Sequence, residues 1–578
     1  MSSSKQDSAS VTEGTEYRFD LGYFGRKIST TSLSAQIWFD RGFTWLYTFN
    51  HMEAVHCFKK AISFDSSCAM AYWGIAFAYG PNYNHPYELF DEEHLKSVLK
   101  ETYQASKTAK SLSASVTPIE QALIDAISIR FQHESLVPVQ QLMLEGVQYS
   151  NAMKSAYERF GADLDVACLY ADSMMTLTPW KLYDLNTGEA AEGACTLKIR
   201  EVLERALGRQ DALQHPGLLH MYIHLSEMSP NPERGISAAD NLRDLVPDAG
   251  HAHHMPIHLD NLIGDYRRAI SSNMHATLAD EKYYNYAGGK NFYSLYRLHN
   301  YHSLIYAAMF AGKKKIALET VDRMEATIPE DILRAKSPNL ADWLEGFVGV
   351  RFHVMVRFGM WEEIIKLQPP LDQNLYCVTT ATLHYARGVA YASLGHVKEA
   401  EWEQTQYLAA IKSVPGTRRT HPNRSVDILR VGVSMLDGEI KYRRGDHTEG
   451  FAALRHAIHL EDNLVFSEPW GWMQPVRHAY AALSLERGNI EEAAEAYKAD
   501  LGLSAKLYRA HHHPNNVWAL QGYYECLTRM GKDQEASFVE PQLKIALAVA
   551  DVPVKSSCFC RLNTSDVPDI CVPPSCCK

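Results

Sequence analysis

The 578-residue sequence has no run approaching the roughly 18 uncharged apolar residues of a membrane helix, so no membrane span is expected. It lacks an apolar leader core: the opening MSSSKQDSASVT is polar, and no secretory signal is expected. It lacks a basic excess, with 57 Lys and Arg against 68 Asp and Glu and a net charge of −11. A nucleic-acid binder needs a basic stripe, so nucleic acid is not expected as a partner. No G-x-G-x-x-G, P-loop or G-x-S-x-G segment occurs, which removes the common dinucleotide, nucleotide and serine-hydrolase signatures. The 11 cysteines come without a leader, so no disulfide framework is expected and the location read is cytoplasmic.

What the sequence does have is helical periodicity. Apolar residues recur at i, i+3, i+4 and i+7 almost throughout, and Gly or Pro recurs at the ends of these stretches. A second pattern lies over the first. A turn glycine is followed five residues later by a small or apolar residue: Gly264 and Ala269, Gly312 and Ala317, Gly359 and Ile364, Gly395 and Ala400, Gly445 and Gly450, Gly488 and Ala493, Gly531 and Ala536. Small residues at such positions let two helices of a pair approach closely.

The stretch RGVAYASLGHVKEA, with Gly388, Tyr391, Gly395 and Ala400, resembles the tetratricopeptide repeat (TPR). So does the region from Trp38 to Phe64, where Gly42, Trp45, Ala54, Phe58 and Ala61 fit. The resemblance covers roughly residues 35–545. FDRGFTWLYTFNHMEA, HPGLLHMYIHLSEMSP and AGHAHHMPIH further resemble a group of large TPR proteins with no settled activity. The resemblance implies an all-α fold, a right-handed TPR-like solenoid whose concave groove is lined by the first helix of each pair. The expected organisation is a disordered tail over 1–30, a continuous solenoid over 31–550 and a Cys-rich disordered tail over 551–578.

Within 215–310 the histidines, 26 in the whole chain, fall into register. His220 and His254 are 34 residues apart, as are His224 and His258, and 34 is the spacing between Gly235 and Ala269 in their small-residue slots. Three successive first helices then offer nine slots on one face. These hold Gly217, His220 and His224; His251, His254 and His258; His299, His302 and Tyr306. Seven are His, where random placement would give about 0.4. Neighbouring first helices pack about 8–10 Å apart, so their imidazoles can converge on one ion.

The expected metal ligands are therefore His215, His220, His224, His251, His254, His258, His299 and His302, with His215 swinging in from just before its helix. Glu227, one turn from His224, is a ligand, a partner of a ligand or a base. Nitrogen ligation suits copper first, as one or two ions, with zinc or iron as alternatives. The insertion EKYYNYAGGKNFYSLYRLHNYH places Tyr283, Tyr286, Tyr293 and Tyr296 near this region, and Tyr306 follows. They are read as an aromatic lining for a small-molecule substrate, on a lid hinged at Gly288-Gly289. The expected function is a copper-dependent oxidation of a small organic molecule by dioxygen. A zinc hydrolase with Glu227 as base is the alternative, and a TPR adaptor for a peptide or protein is a third reading. The outer surface is left for a protein partner or a second copy of the chain. The loop around Glu468, Trp470 and Trp472 is read as closing the groove or as a repeat junction, and His511–His513 as an exposed loop.

Overall fold

The computed structural model describes residues 16–420 and 422–564. The fold is all-α, as expected. Among the described residues, the only strands are the two-residue pair Arg419–Thr420 and Asn423–Arg424. Arg418 beside it is buried. The chain divides into two compact units. Unit 1 comprises residues 1–179, 193–221 and 244–252, and unit 2 comprises 180–192, 222–243 and 253–578.

Unit 1 opens with the antiparallel helices Leu33–Tyr47 and His51–Phe64, followed by Ala69–Tyr79. Phe58 is fully buried and meets Gly42 and Gly74, where an added Cβ would come within 2.7 Å and 2.6 Å of its ring. The missing side chains are what admit the ring, which accounts for the repeat pattern read over 38–64.

Unit 2 is a succession of helix pairs. They include Cys377–Ser393 with Val397–Lys412, Ser425–Arg444 with His447–Asp462, Val476–Glu486 with Ile490–Asp500, and Val517–Arg529 with Asp533–Val549. All seven turn glycines read from the sequence have positive φ, from 62° at Gly359 to 98° at Gly445. This is the left-handed conformation that ends a helix at low cost only in glycine. The paired slots at Ala269, Ala317, Ile364, Ala400 and Ala493 are fully buried.

The described part of each expected tail is packed. Residues 16–30 pack on unit 1: Phe19, Leu21 and Ile28 are buried, and the Trp45 indole N–H donates to the Tyr17 hydroxyl at 2.7 Å. Residues 551–564 pack on unit 2. Asp551 accepts from the backbone N–H of Lys314, and Arg561 meets Glu525 through two bonds of 2.8 and 2.9 Å. Cys558 and Cys560 are disulfide-bonded, contrary to the expectation of free thiols there. The rest of each tail, with Cys571, Cys576 and Cys577, lies outside the described residues.

Candidate metal centre

Three short runs of helix bring the unit 2 histidines together. The Pro216–Glu227 helix carries His224 and Glu227 in its last turn. The next first helix is interrupted at Met255, because Pro256 has no N–H to continue the ladder, and resumes as Pro256–Ile263. His254 and His258 flank the break and still share a face. His299 comes from the Tyr293–Phe310 helix.

All of these side chains are buried. The two oxygens of Glu227 are both engaged: Oε1 accepts from His224 Nδ1 at 3.0 Å and Oε2 from His258 Nδ1 at 2.5 Å. His254 Nδ1 faces the side-chain oxygen of Asn273 at 3.2 Å. With these acceptors, the Nδ1 atoms of His254 and His258 carry the protons, and each Nε2 presents a lone pair. The two Nε2 atoms lie 2.7 Å apart. The His299 ring is 4.2 Å from that of His254. One nitrogen from each of His254, His258 and His299 lies within 4.8 Å of the others, and the same holds for His224, Glu227 and His258. Each group could hold one metal ion.

A second carboxyl completes this centre. Glu468 Oε2 is 4.0 Å from His258 Nδ1. Both Glu468 oxygens are buried, and the Glu468 carboxyl hydrogen-bonds the Glu227 carboxyl. Burial, and then the nearby Glu227, pushes the Glu468 carboxyl well above the usual range. Burial also raises Glu227, while Glu468 acts in the opposite direction. Of the two carboxyls, Glu227 is the one with imidazole N–H donors on both oxygens to support a negative charge. Burial moves His224 down to about 3. Sequence reasoning singled out the loop around Glu468 without giving that residue a role, and it missed Asn273.

Four expected ligands, His215, His220, His251 and His302, are not in these two groups. His215 is in unit 1 with both nitrogens used: Nε2 pairs with Asp165 at 2.9 Å and Nδ1 accepts from the Leu218 backbone at 3.1 Å. It is therefore a structural residue and not a free ligand. His220 and His251 belong to unit 1, where their rings are 5.0 Å apart against Phe49. His302 packs on Phe347 at 5.3 Å and joins neither of the unit 2 groups.

The aromatic insertion is not a lid. Its first half extends the Tyr266–Ala287 helix and its second half begins the Tyr293–Phe310 helix, with Gly288 at φ 70° turning the chain between them. Tyr283 and Tyr293 pack at 5.0 Å, Tyr293 and Tyr296 at 5.9 Å, and the Tyr293 hydroxyl donates to Asp280 at 2.8 Å. Tyr286 packs at the edge of the same cluster, 6.2 Å from Tyr283. These tyrosines are spent on joining two helices, which leaves no substrate lining there. Tyr306 lies apart, bonded to His513 at 2.9 Å. His513 in turn bonds Asp500 at 2.8 Å, so the 511–513 segment is tied into unit 2 and not exposed loop.

No protein-family model and no curated protein matches this sequence. Solved structures with similarity include the APC/C hetero-tetramer Cut9–Hcn1, at 13% identity over 82% of this chain and 74% of that chain with a TM-score of 0.30. Another is Naa15/Naa10 bound to HypK-THB, at 12% identity over 88% of this chain and 70% of that chain with a TM-score of 0.20. Likeness at this level extends neither to activity nor to partners. Among the described residues no helix is long and apolar enough to cross a membrane.

Proposed function

We propose that unit 2 binds a transition-metal ion through His254, His258 and His299, and that the centre serves oxidation of a small organic molecule with dioxygen. One observation carries the metal reading: two imidazole nitrogens 2.7 Å apart whose partner nitrogens already donate to Asn273 and Glu227. Two lone pairs repel at that distance, so a cation belongs between them, and a metal with bonds of about 2.0–2.1 Å would spread them only slightly. The donor set of His254, His258 and His299 fits copper best, with zinc and iron behind it, because it is all imidazole.

The arrangement also bears on the reaction. Glu227 was read as the base of a zinc hydrolase. Both of its oxygens hold imidazole N–H groups, which makes it a positioning residue that orients His224 and His258. Glu468, hydrogen-bonded to Glu227 and 4.0 Å from His258 Nδ1, is the group placed to give or take a proton. When bound, copper supplies the route for electrons to dioxygen, and Glu468 handles protons within a buried site.

Dioxygen uptake by the copper-loaded full-length chain, with a catechol as electron donor, tests this. Copper-dependent uptake is expected, and Glu468→Gln should keep the metal while losing at least about tenfold in kcat. Ester hydrolysis by the zinc-loaded chain without oxygen uptake by the copper-loaded chain would overturn the oxidative reading.

A further inference from the structure

Unit 1 contains a cavity of about 350 Å³ that the metal centre does not use. Its walls come from the Pro118–Arg130, Val139–Phe160 and Leu164–Met175 helices and from the segment around Pro81 and Tyr87. Arg130 reaches it at the end of its helix and is only 3% exposed. One of its nitrogens, Nη2, donates to the Pro81 carbonyl at 2.8 Å. The other two, Nε and Nη1, are buried with no hydrogen-bond partner. The hydroxyls of Tyr87, Tyr149 and Thr176, which line the same cavity, are also buried and unpartnered.

A buried guanidinium ordinarily meets a carboxylate, because a charge removed from water costs several kcal/mol unless paired. Arg26 in the same unit does so, at 2.9 Å from Asp163 and 2.5 Å from Asp165. Among the described residues Arg130 has no ion pair. Burial raises the Asp172 carboxyl to about 6 against the opposing charge of Arg130. Glu145 spends one oxygen on His133 and Gln141, its other oxygen is buried and unpartnered, and neither carboxyl takes the Arg130 Nε or Nη1 donor. Glu88 also lines the cavity and is exposed. The rings of Tyr149, Phe131 and Phe77 lie 4.8, 5.4 and 5.7 Å from the guanidinium carbon. They stabilise its face and leave its in-plane N–H donors unmatched. Leu142, Val147 and Leu177 give the cavity an apolar wall. At its rim, Met143, Leu144 and Val147 stand 44, 58 and 45% exposed.

We propose that this cavity binds a small amphipathic monocarboxylate. Its anionic end takes the free Arg130 donors and the neighbouring hydroxyls, and its apolar body lies along the Leu142–Val147 wall. The volume falls at the low end of the small-molecule range, which suits a medium-chain or aromatic acid. The two unmatched guanidinium donors select an anion, and the single guanidinium selects one carboxylate.

The test is calorimetric titration of the full-length chain with octanoate, with octan-1-ol as the neutral control. Octanoate is expected to bind once per chain and at least about tenfold more tightly than octan-1-ol. Arg130→Met should weaken octanoate by about tenfold or more. Gly146→Leu keeps Arg130 but projects a side chain from the wall, and should abolish binding; its Cβ would meet only Leu177, at an ordinary 3.5 Å. Unchanged octanoate affinity in either folded variant would overturn the proposal. So would equal affinity for octan-1-ol, or no binding of octanoate or 4-phenylbutyrate at millimolar concentration. Binding of a peptide C-terminus in place of either acid would also refute a small-molecule site.

Discussion

Asp165 shows how single side chains in this protein are held by several partners at once. Its carboxylate accepts from Arg26, from the Tyr47 hydroxyl at 2.8 Å and from His215 at 2.9 Å. Burial alone would raise it, but the His215 hydrogen bond and the charges of His215 and Arg26 outweigh burial and hold it down to about 2. A carboxyl depressed in the folded state stabilises the fold above its ordinary value, and that contribution is lost as pH falls toward the folded value. Asp165→Asn should therefore cost about 2 kcal/mol at pH 7, with the deficit shrinking as pH drops from about 4 to 2. Urea unfolding of both proteins at pH 7 and pH 3 checks the sign. At the metal centre, Glu227→Gln should keep all three histidines but weaken metal binding by about 10–100-fold, read by competition with a chelator. The histidines were legible because a repeat spacing places them on one face. Glu468 and Asn273 were not, because nothing local ties either residue to His258 or His254. Only the folded chain brings them together.

At the scale of elements, turn glycines and small slots were readable because both answer to backbone sterics, which leave a strong residue preference. They also permit an ordered prediction. At Gly445 an added Cβ has nothing within 4 Å, so Gly445→Ala should cost only the left-handed backbone penalty, about 1 kcal/mol. At Gly264 the Cβ would fall 2.3 Å from the Pro514 carbonyl oxygen, so Gly264→Ala should cost clearly more. Chemical denaturation ranks the two. The aromatic insertion misled the reading for a physical reason. Tyr283 and Tyr286, then Tyr293 and Tyr296, are spaced three apart, which suits a packed helix face as well as a ligand-lining one. Composition cannot tell those apart, and the pairing of the two helix ends decided it.

At the scale of the whole molecule, the sequence showed that the chain is all-α and built of pairs. It did not show the division into two units, because the same repeat pattern runs through both. Nor did it show that the terminal segments pack, since few apolar residues are involved and much of the anchoring is polar. A chain ending at Ala550 would lose Arg561 from Glu525, and should unfold at lower urea with a loss of about 3 kcal/mol. The central claim, however, is the metal. Elemental analysis of copper-loaded and zinc-loaded full-length protein, after removal of free ions, should find at least one ion per chain. His254→Ala and His299→Ala should each lose an ion while keeping wild-type helicity. Wild-type protein that takes up neither metal, or variants that retain the full complement, would contradict the account.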